Sequence, residues 1–185
     1  MQDGDADEAL MVQVAQGDHR AFRVLMSRHM VRAIRIADAV LGHSTDSDDV
    51  AQEAFVRAWR GAPSFDPTVA RFTTWLYRIV VNLAIDRARR PRGEPIENAE
   101  HIATDEPSVL ADIIAKEDTS TVTECLSQLP DRQRAALALF HFEGLSGREA
   151  AAAMEMTEKA FESLLVRARA TLKQRVLAAQ TRSRR

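Results

Sequence analysis

Apolar side chains recur at i, i+3, i+4 and i+7 through most of this chain, a spacing that suits amphipathic helices and little else. Leu10 and Val14 begin one stripe. Phe22, Leu25, Met26, His29, Met30, Ala33, Ile34, Ala37, Val40 and Leu41 form a second, parted from the first by Gln16-Gly17-Asp18. Gly42 to Asp46 reads as a turn. Asp46 or Ser47 then caps a helix carrying Val50, Ala54, Phe55 and Ala58, with acids in its first turn where the helix dipole favours them. Gly61-Ala62-Pro63 ends that helix and Phe65-Asp66-Pro67 opens a loop. A further helix, about Phe72 to Arg89, stops before Pro91. Composition agrees. Hydrophobic residues make up 45% of the chain but aromatics only 5%, a balance suited to helices rich in Ala, Leu and Arg rather than to strands.

The period lapses over residues 92–118, which hold two prolines, one glycine and many acids. This stretch reads as a flexible linker, with part of Ser108 to Lys116 able to be helical. Helical spacing returns from Thr121 to Leu129, again after Pro130 (Ala135, Leu137, Ala138, Phe140), and in two short segments, Gly147 to Met154 and Glu158 to Val176. The expected architecture is all-α: two small helical domains, 1–91 and 119–185, joined by the linker 92–118. Charge follows the same division. Basic and acidic side chains number 12 and 12 over residues 1–91, 2 and 9 over 92–128, and 11 and 6 over 129–185. A basic C-terminal domain able to meet phosphates hangs on an acidic connector.

The C-terminal domain carries the sharpest local signal. Ser146 with Glu149 three residues on is a capping box. Ala150, Ala151 and Ala153 permit close approach of another helix, Met154-Glu155-Met156 makes a short turn, and Thr157 caps the next helix. Phe161, Leu164, Leu165 and Ala168 then face inward, leaving Glu158, Lys159, Glu162, Ser163, Val166, Arg167 and Arg169 outward or lateral. This is helix-turn-helix geometry, in which the second helix enters the major groove. An ordinary αα-hairpin has the same pattern.

Other chemistries lack their residues. Cys125 is the only cysteine, which excludes an internal disulfide and a CxxC zinc site. It lies on an apolar helix face and reads as packing. The five histidines (His19, His29, His43, His101, His141) have no metal-ligand spacing, and His29 and His141 read as partly buried. No glycine-rich phosphate loop or nucleophile elbow occurs. No metal, cofactor, small-molecule substrate or catalysis is expected. No apolar run approaches a membrane span and nothing resembles a signal peptide, so the expected location is the cytoplasm, without membrane insertion.

Leu129-Pro130-Asp131-Arg132-Gln133-Arg134, then Phe142-Glu143-Gly144-Leu145-Ser146 and the hairpin, resembles the promoter-binding C-terminal domain of extracytoplasmic-function sigma factors. The N-terminal half resembles the same family independently. Gly17-Asp18-His19-Arg20-Ala21-Phe22 is similar to its first conserved stretch, and Asp48 to Trp59 (DDVAQEAFVRAW) to its polymerase-binding helix. Phe72 to Asn82 (FTTWLYRIVVN) is similar to its promoter-melting helix. The likeness covers residues 8–91 and 119–176. It implies an alternative sigma factor that binds core RNA polymerase and directs it to promoter DNA.

By position, the resemblance implies minus-thirty-five readout by Glu162, Ser163, Val166 and Arg167. Arg167 suits guanine or phosphate, Glu162 suits cytosine, and Val166 suits a thymine methyl. Many relatives carry Lys or Arg where Glu162 stands, so their sequence preference does not transfer directly. Arg169, Lys173 and Arg175 suit phosphate anchoring. A solvated helix face is the plain alternative for each arginine.

For the minus-ten element the implied set is the loop from Ser64 and Phe65 to Arg71, then Trp75, Arg78, Asn82, Arg87 and Arg89. Asn82 matches the base-contacting asparagine. Arg71, Arg78, Arg87, Arg89 and Arg90 against the single acid Asp86 supply charge for a displaced strand. Trp75 and Tyr77 are candidate stacking platforms, though Trp75 shares helical spacing with Ile79 and Leu83 and reads more readily as core. Asp49, Gln52, Glu53 and Val56 are implied to meet the clamp of the polymerase largest subunit. The acidic connector either imitates RNA in a basic channel or simply keeps the tether solvated.

Two other classes fit parts of the chain: a helix-turn-helix regulator that ignores polymerase, and a sigma mimic that titrates an inhibitor. The first leaves residues 48–60 and 72–90 unexplained. The second has little use for Arg167 and the basic run at 87–90. The chain has no sensor of its own. Control is therefore expected from outside, either from an anti-sigma partner seated between two domains that the linker leaves free to rearrange or through synthesis alone.

Overall fold

The computed structural model describes residues 6–42, 44–89 and 119–183. The expected linker, the helix considered for Ser108 to Lys116, His43, His101 and Arg90 all lie outside the described residues.

Four helices build the N-terminal domain: α1 (Asp7–Ala15), α2 (His19–Leu41), α3 (Ser47–Gly61) and α4 (Phe72–Ala88), with a 3-10 turn at Ala62–Ser64. The Asp18 carboxylate caps α2 by accepting from the amides of Arg20 and Ala21. Gly42, at φ +70°, ends it in the left-handed conformation that glycine adopts without a side-chain penalty. Helix α2 is the spine, and α1, α3 and α4 all pack on it. Leu25, Ala33, Ile36 and Val40 are buried on α2, as are Phe55 on α3 and Leu76 and Val80 on α4. His19 and Phe22 at the start of α2 meet Phe55 and Trp59 of α3, with His19 stacked on Trp59 at 4.6 Å between ring centroids. Helix α1 closes the other side. Its Asp7 carboxylate accepts from Arg28 at 2.9 Å and lies 2.7 Å from His29 Nε2. Its Glu8 accepts the backbone N–H of Phe72 at 2.9 Å, an amide that α4's own N-cap, Arg71, does not satisfy.

The C-terminal domain contains α5 (Thr119–Ser127), α6 (Asp131–Leu137), α7 (Gly147–Ala153) and α8 (Glu158–Ser183). Helix α6 continues into a π turn, Ala138–Phe142, where the Glu143 amide donates to the Ala138 carbonyl. Both halves of the capping box at Ser146 and Glu149 are formed. Thr157 accepts the Ala160 amide as expected. Helix α8 runs seven residues past the expected Val176. The added residues include Leu177, Ala178, Ala179 and Gln180, good helix formers whether or not they pack.

The domains were expected to be free to rearrange. In the structure they are docked, and their buried apolar residues form one continuous core. The alanine face of α7 does admit a second helix closely, and besides α8 that helix is α4 of the other domain. Helix α6 packs on α2. Buried Arg134 donates to the Val40 carbonyl near the end of α2, to the Ser127 and Leu129 carbonyls, and to Asp131. One guanidinium thus satisfies terminal carbonyls of helices from both domains.

Candidate nucleic-acid interface

Helix α4 presents two different faces. A groove of about 510 Å³ runs between α3 and α4, lined by Asp49, Val50, Gln52, Glu53, Val56 and Arg57, with Leu83, Asp86 and Arg87 opposite. Asp49, Gln52, Glu53 and Val56 are all exposed, so the acceptors and the apolar side chain that the sequence singled out do share one open surface. Glu53 holds Arg57 at 2.9 Å. Arg87 reaches Asp46 at 3.0 Å and Asp49 at 3.8 Å. Arg87 therefore belongs to this groove and not with the strand-reading candidates, which corrects its grouping. Five residues at about 100° each turn it roughly 140° away from Asn82.

Arg71, Arg78 and Asn82 do share the second face. Above its start lies the loop after α3, where the Asp66 carboxylate accepts from the amide and hydroxyl of Thr68. Those hydrogen bonds hold Asp66 below its ordinary value. Ser64 and Arg71 are exposed, and Phe65 is half-buried against Trp75, their centroids 5.2 Å apart. Trp75 also covers Gly61, where an added Cβ would stand 3.1 Å from the indole. Trp75 is thus half core and half surface, where its spacing had favoured core. Tyr77, the other stacking candidate, is buried at 1% exposure and presents no ring face to solvent. Burial pushes its hydroxyl up to about 12. Arg89 is exposed just past the end of α4.

This second face is occupied by the C-terminal domain. The Asn82 amide donates to Glu155 at 3.2 Å, Arg78 lies 3.7 Å from the same carboxylate, and Arg71 lies 3.3 Å from Glu149. Near the seam, Glu143, whose side chain is 1% exposed, accepts from Arg32 at 2.7 Å and lies 3.4 Å from Arg35. The hydrogen bond to Glu143 raises Arg32 further. None of these three carboxylates was a sequence candidate for interdomain contact. Glu149 had already been assigned to its cap, which it also fills. Glu155 sits at φ +53°, a left-handed position in a turn that often holds glycine.

On α8 the candidates Glu162, Ser163, Val166, Arg167, Arg169 and Lys173 are all exposed. Glu162, Ser163, Val166 and Arg167 form one outward patch, with Arg167 donating back to the Ser163 carbonyl at 3.2 Å. Arg169 is held away from that patch. It donates to His141 Nε2 at 3.0 Å and lies 5.4 Å above the Phe140 ring. Burial, then the Arg169 charge, keeps His141 below its ordinary value. Arg175 donates to Gln128 and braces α5. Among the described residues no cluster of His, Cys, Asp and Glu could hold a metal ion, and no helix is long and apolar enough to cross a membrane.

Two family models match in the order of the domains, Sigma-70 region 2 over residues 25–93 and Sigma-70 region 4 over residues 120–172. The RNA polymerase sigma factor CnrH of Cupriavidus metallidurans is 37% identical over 179 residues, covering 91% of this chain and 93% of that protein. The ECF RNA polymerase sigma-E factor of Escherichia coli is 32% identical over 181 residues, covering 92% and 94%. The solved structure of CnrH in complex with the cytosolic domain of CnrY superposes with a TM-score of 0.70 at 33% identity, covering 94% of this chain and 99% of that one. The chain belongs to the extracytoplasmic-function sigma factors and directs RNA polymerase to its promoters as an alternative sigma factor.

Proposed function

We propose that the two faces of α4 and the outward patch of α8 divide the work of initiation. The groove of Asp49, Gln52, Glu53 and Val56 receives the clamp of the largest polymerase subunit, where acceptors beside an apolar floor suit a basic, amphipathic partner. The face of Arg71, Arg78 and Asn82, with Ser64, Phe65 and Trp75 above it, takes the displaced minus-ten strand. Glu162, Ser163, Val166 and Arg167 read the minus-thirty-five duplex, while Lys173 and Arg89 steer phosphates. Residues 1–91 and 119–185 are then the working domains and the acidic residues 92–118 their connector. The protein works in the cytoplasm and catalyses no reaction itself.

The observation that carries this reading is the separation of surfaces: acceptors line the α3–α4 groove while Arg71, Arg78 and Asn82 gather on the other side of α4. A soluble inhibitor or the cytosolic part of a membrane protein is the expected regulator, since the CnrH structure contains the cytosolic domain of CnrY. The direct test is Glu53→Lys. It gives up only an exposed i,i+4 pair within α3, so the fold persists, while affinity for core polymerase falls at least tenfold, about 1.4 kcal/mol. Unchanged affinity in a folded variant overturns the groove assignment.

A further inference from the structure

The outward patch of α8 is built from two ridges of residues four apart. Lys159, Ser163 and Arg167 form one, and it is laced to its own helix. Ser163 Oγ donates to the Lys159 carbonyl at 3.0 Å, and Arg167 Nε to the Ser163 carbonyl at 3.2 Å. Glu158, Glu162 and Val166 form the other. Glu158 is turned back toward the start of α7, its Oε1 3.8 Å from where a Cβ on Gly147 would stand. Glu162 is left exposed, with no described cation paired to its carboxylate. Val166, one turn beyond it, is exposed at 62%. We propose that Glu162 sets the sequence preference of this sigma factor by demanding a cytosine amino group in the duplex, with a thymine methyl against Val166 close by. This rests on reading the outward patch of α8 as the duplex-reading surface.

An ionised carboxylate has only acceptors to offer. Guanine turns N7 and O6 to the major groove and thymine turns O4, and these acceptors repel it. Adenine and cytosine each offer an amino group. Adenine's stands beside N7, which would oppose the second carboxylate oxygen, whereas cytosine's stands beside a C–H edge. Cytosine is therefore the base that satisfies Glu162 without opposing it. Burial in the groove sharpens the choice, because a carboxylate left there without a donor costs its full desolvation, so wrong sequences are rejected as well as unrewarded. Lys159 and Arg167 on the adjoining ridge offset the repulsion from phosphates for every duplex alike. Residues four apart lie about 6 Å apart along a helix axis, and base pairs stack about 3.4 Å apart. Val166 thus meets a base pair no more than about two steps from the cytosine.

The test uses the full chain assembled with its core RNA polymerase and a library of promoter duplexes randomised across the upstream element. Bound duplexes are recovered against unspecific competitor DNA and sequenced. Wild type is expected to enrich cytosine about fivefold or more at one position. Glu162→Gln keeps the shape and removes the charge, and an amide pairs with adenine N6 and N7, so that one position is expected to turn from cytosine to adenine. Glu162→Arg is expected to turn it to guanine. Val166→Ala is expected to weaken thymine within two positions of the same site and to leave the cytosine in place. A substitution that merely disturbs the helix lowers enrichment at every position together, and that outcome overturns the proposal. So does a site that stays cytosine in Glu162→Gln. In either case a loss of duplex binding in Arg167→Ala keeps the patch as the reading surface. If Glu162→Gln, Val166→Ala and Arg167→Ala all leave binding and base preference unchanged, the patch reading fails and takes the proposal with it.

Discussion

Burial acts on His141 beside Arg169, a candidate phosphate contact. The imidazole is held neutral by burial first and by Arg169 second, and in that form it accepts from the guanidinium. A base whose folded value is depressed contributes stability fully present above its ordinary value of 6.5 and lost as pH falls through the lower folded value. Lowering the pH from 8 toward 5 should therefore reduce the urea midpoint of the wild type more than that of His141→Ala. Equal losses would show that the contact contributes nothing. The same protonation frees Arg169 from its tether, so duplex binding should gain salt dependence at acid pH if that arginine then reaches phosphate. Arg167 is different, being exposed beside Glu162, Ser163 and Val166. Arg167→Ala should cost roughly 1–3 kcal/mol in duplex binding, confined to one base position if the contact is to guanine and spread across sequences if it is to phosphate. No loss with any duplex returns Arg167 to an ordinary solvated face.

Two helix starts, α4 and α7, differ in how their amides are satisfied, and that difference explains what the sequence made legible. The Ser146–Glu149 box is local and was readable from four adjacent residues. The α4 start relies on Glu8, 64 residues away, and no short-range pattern announces it. Each should be worth about 1 kcal/mol, so Ser146→Ala and Glu8→Ala should each lower the melting temperature by roughly 2–4 °C. No shift for Glu8→Ala would mean that water serves the Phe72 amide as well. The stripes of α2, α3 and α4, the helix-turn-helix and the outward patch of α8 were likewise legible, because each is periodic within one segment. Arg87 was misplaced through grouping by charge rather than by helical phase, though the phase was available. Tyr77 was misjudged because an aromatic ring reads alike whether it faces a base or the core. The docking of the domains was not legible at all. It depends on a π turn that aims Glu143, and on carboxylates whose partners lie more than 70 residues away.

Across the whole molecule, the pairs that cover the Arg71, Arg78 and Asn82 face of α4 are not the pairs that bury a carboxylate at the seam. Arg71–Glu149 and Arg78–Glu155 join side chains that are exposed or only partly buried, where an ion pair is worth about 0–1 kcal/mol and is screened by salt. Glu143 is withdrawn from water, while Arg32 keeps 44% of its side chain exposed, which moderates that pair as well. Losing the one charge-assisted hydrogen bond that its carboxylate accepts, from Arg32, should still cost about 2 kcal/mol, close to a 30-fold shift toward the open form. Glu149→Gln with Glu155→Gln should therefore leave the chain compact, and glutamine at position 149 even preserves the capping box. Wild type should likewise scatter as the same particle in 0.05 M and 0.5 M sodium chloride, whereas Glu143→Ala should expand at both. The apolar contact of α7 on α4 and the reach of Arg134 to the Val40 carbonyl resist opening in every variant, and salt screens neither. A wild type that swells on adding salt would place the holding energy in the exposed pairs, and Glu143 would then be a passenger in a seam that the surface charges close.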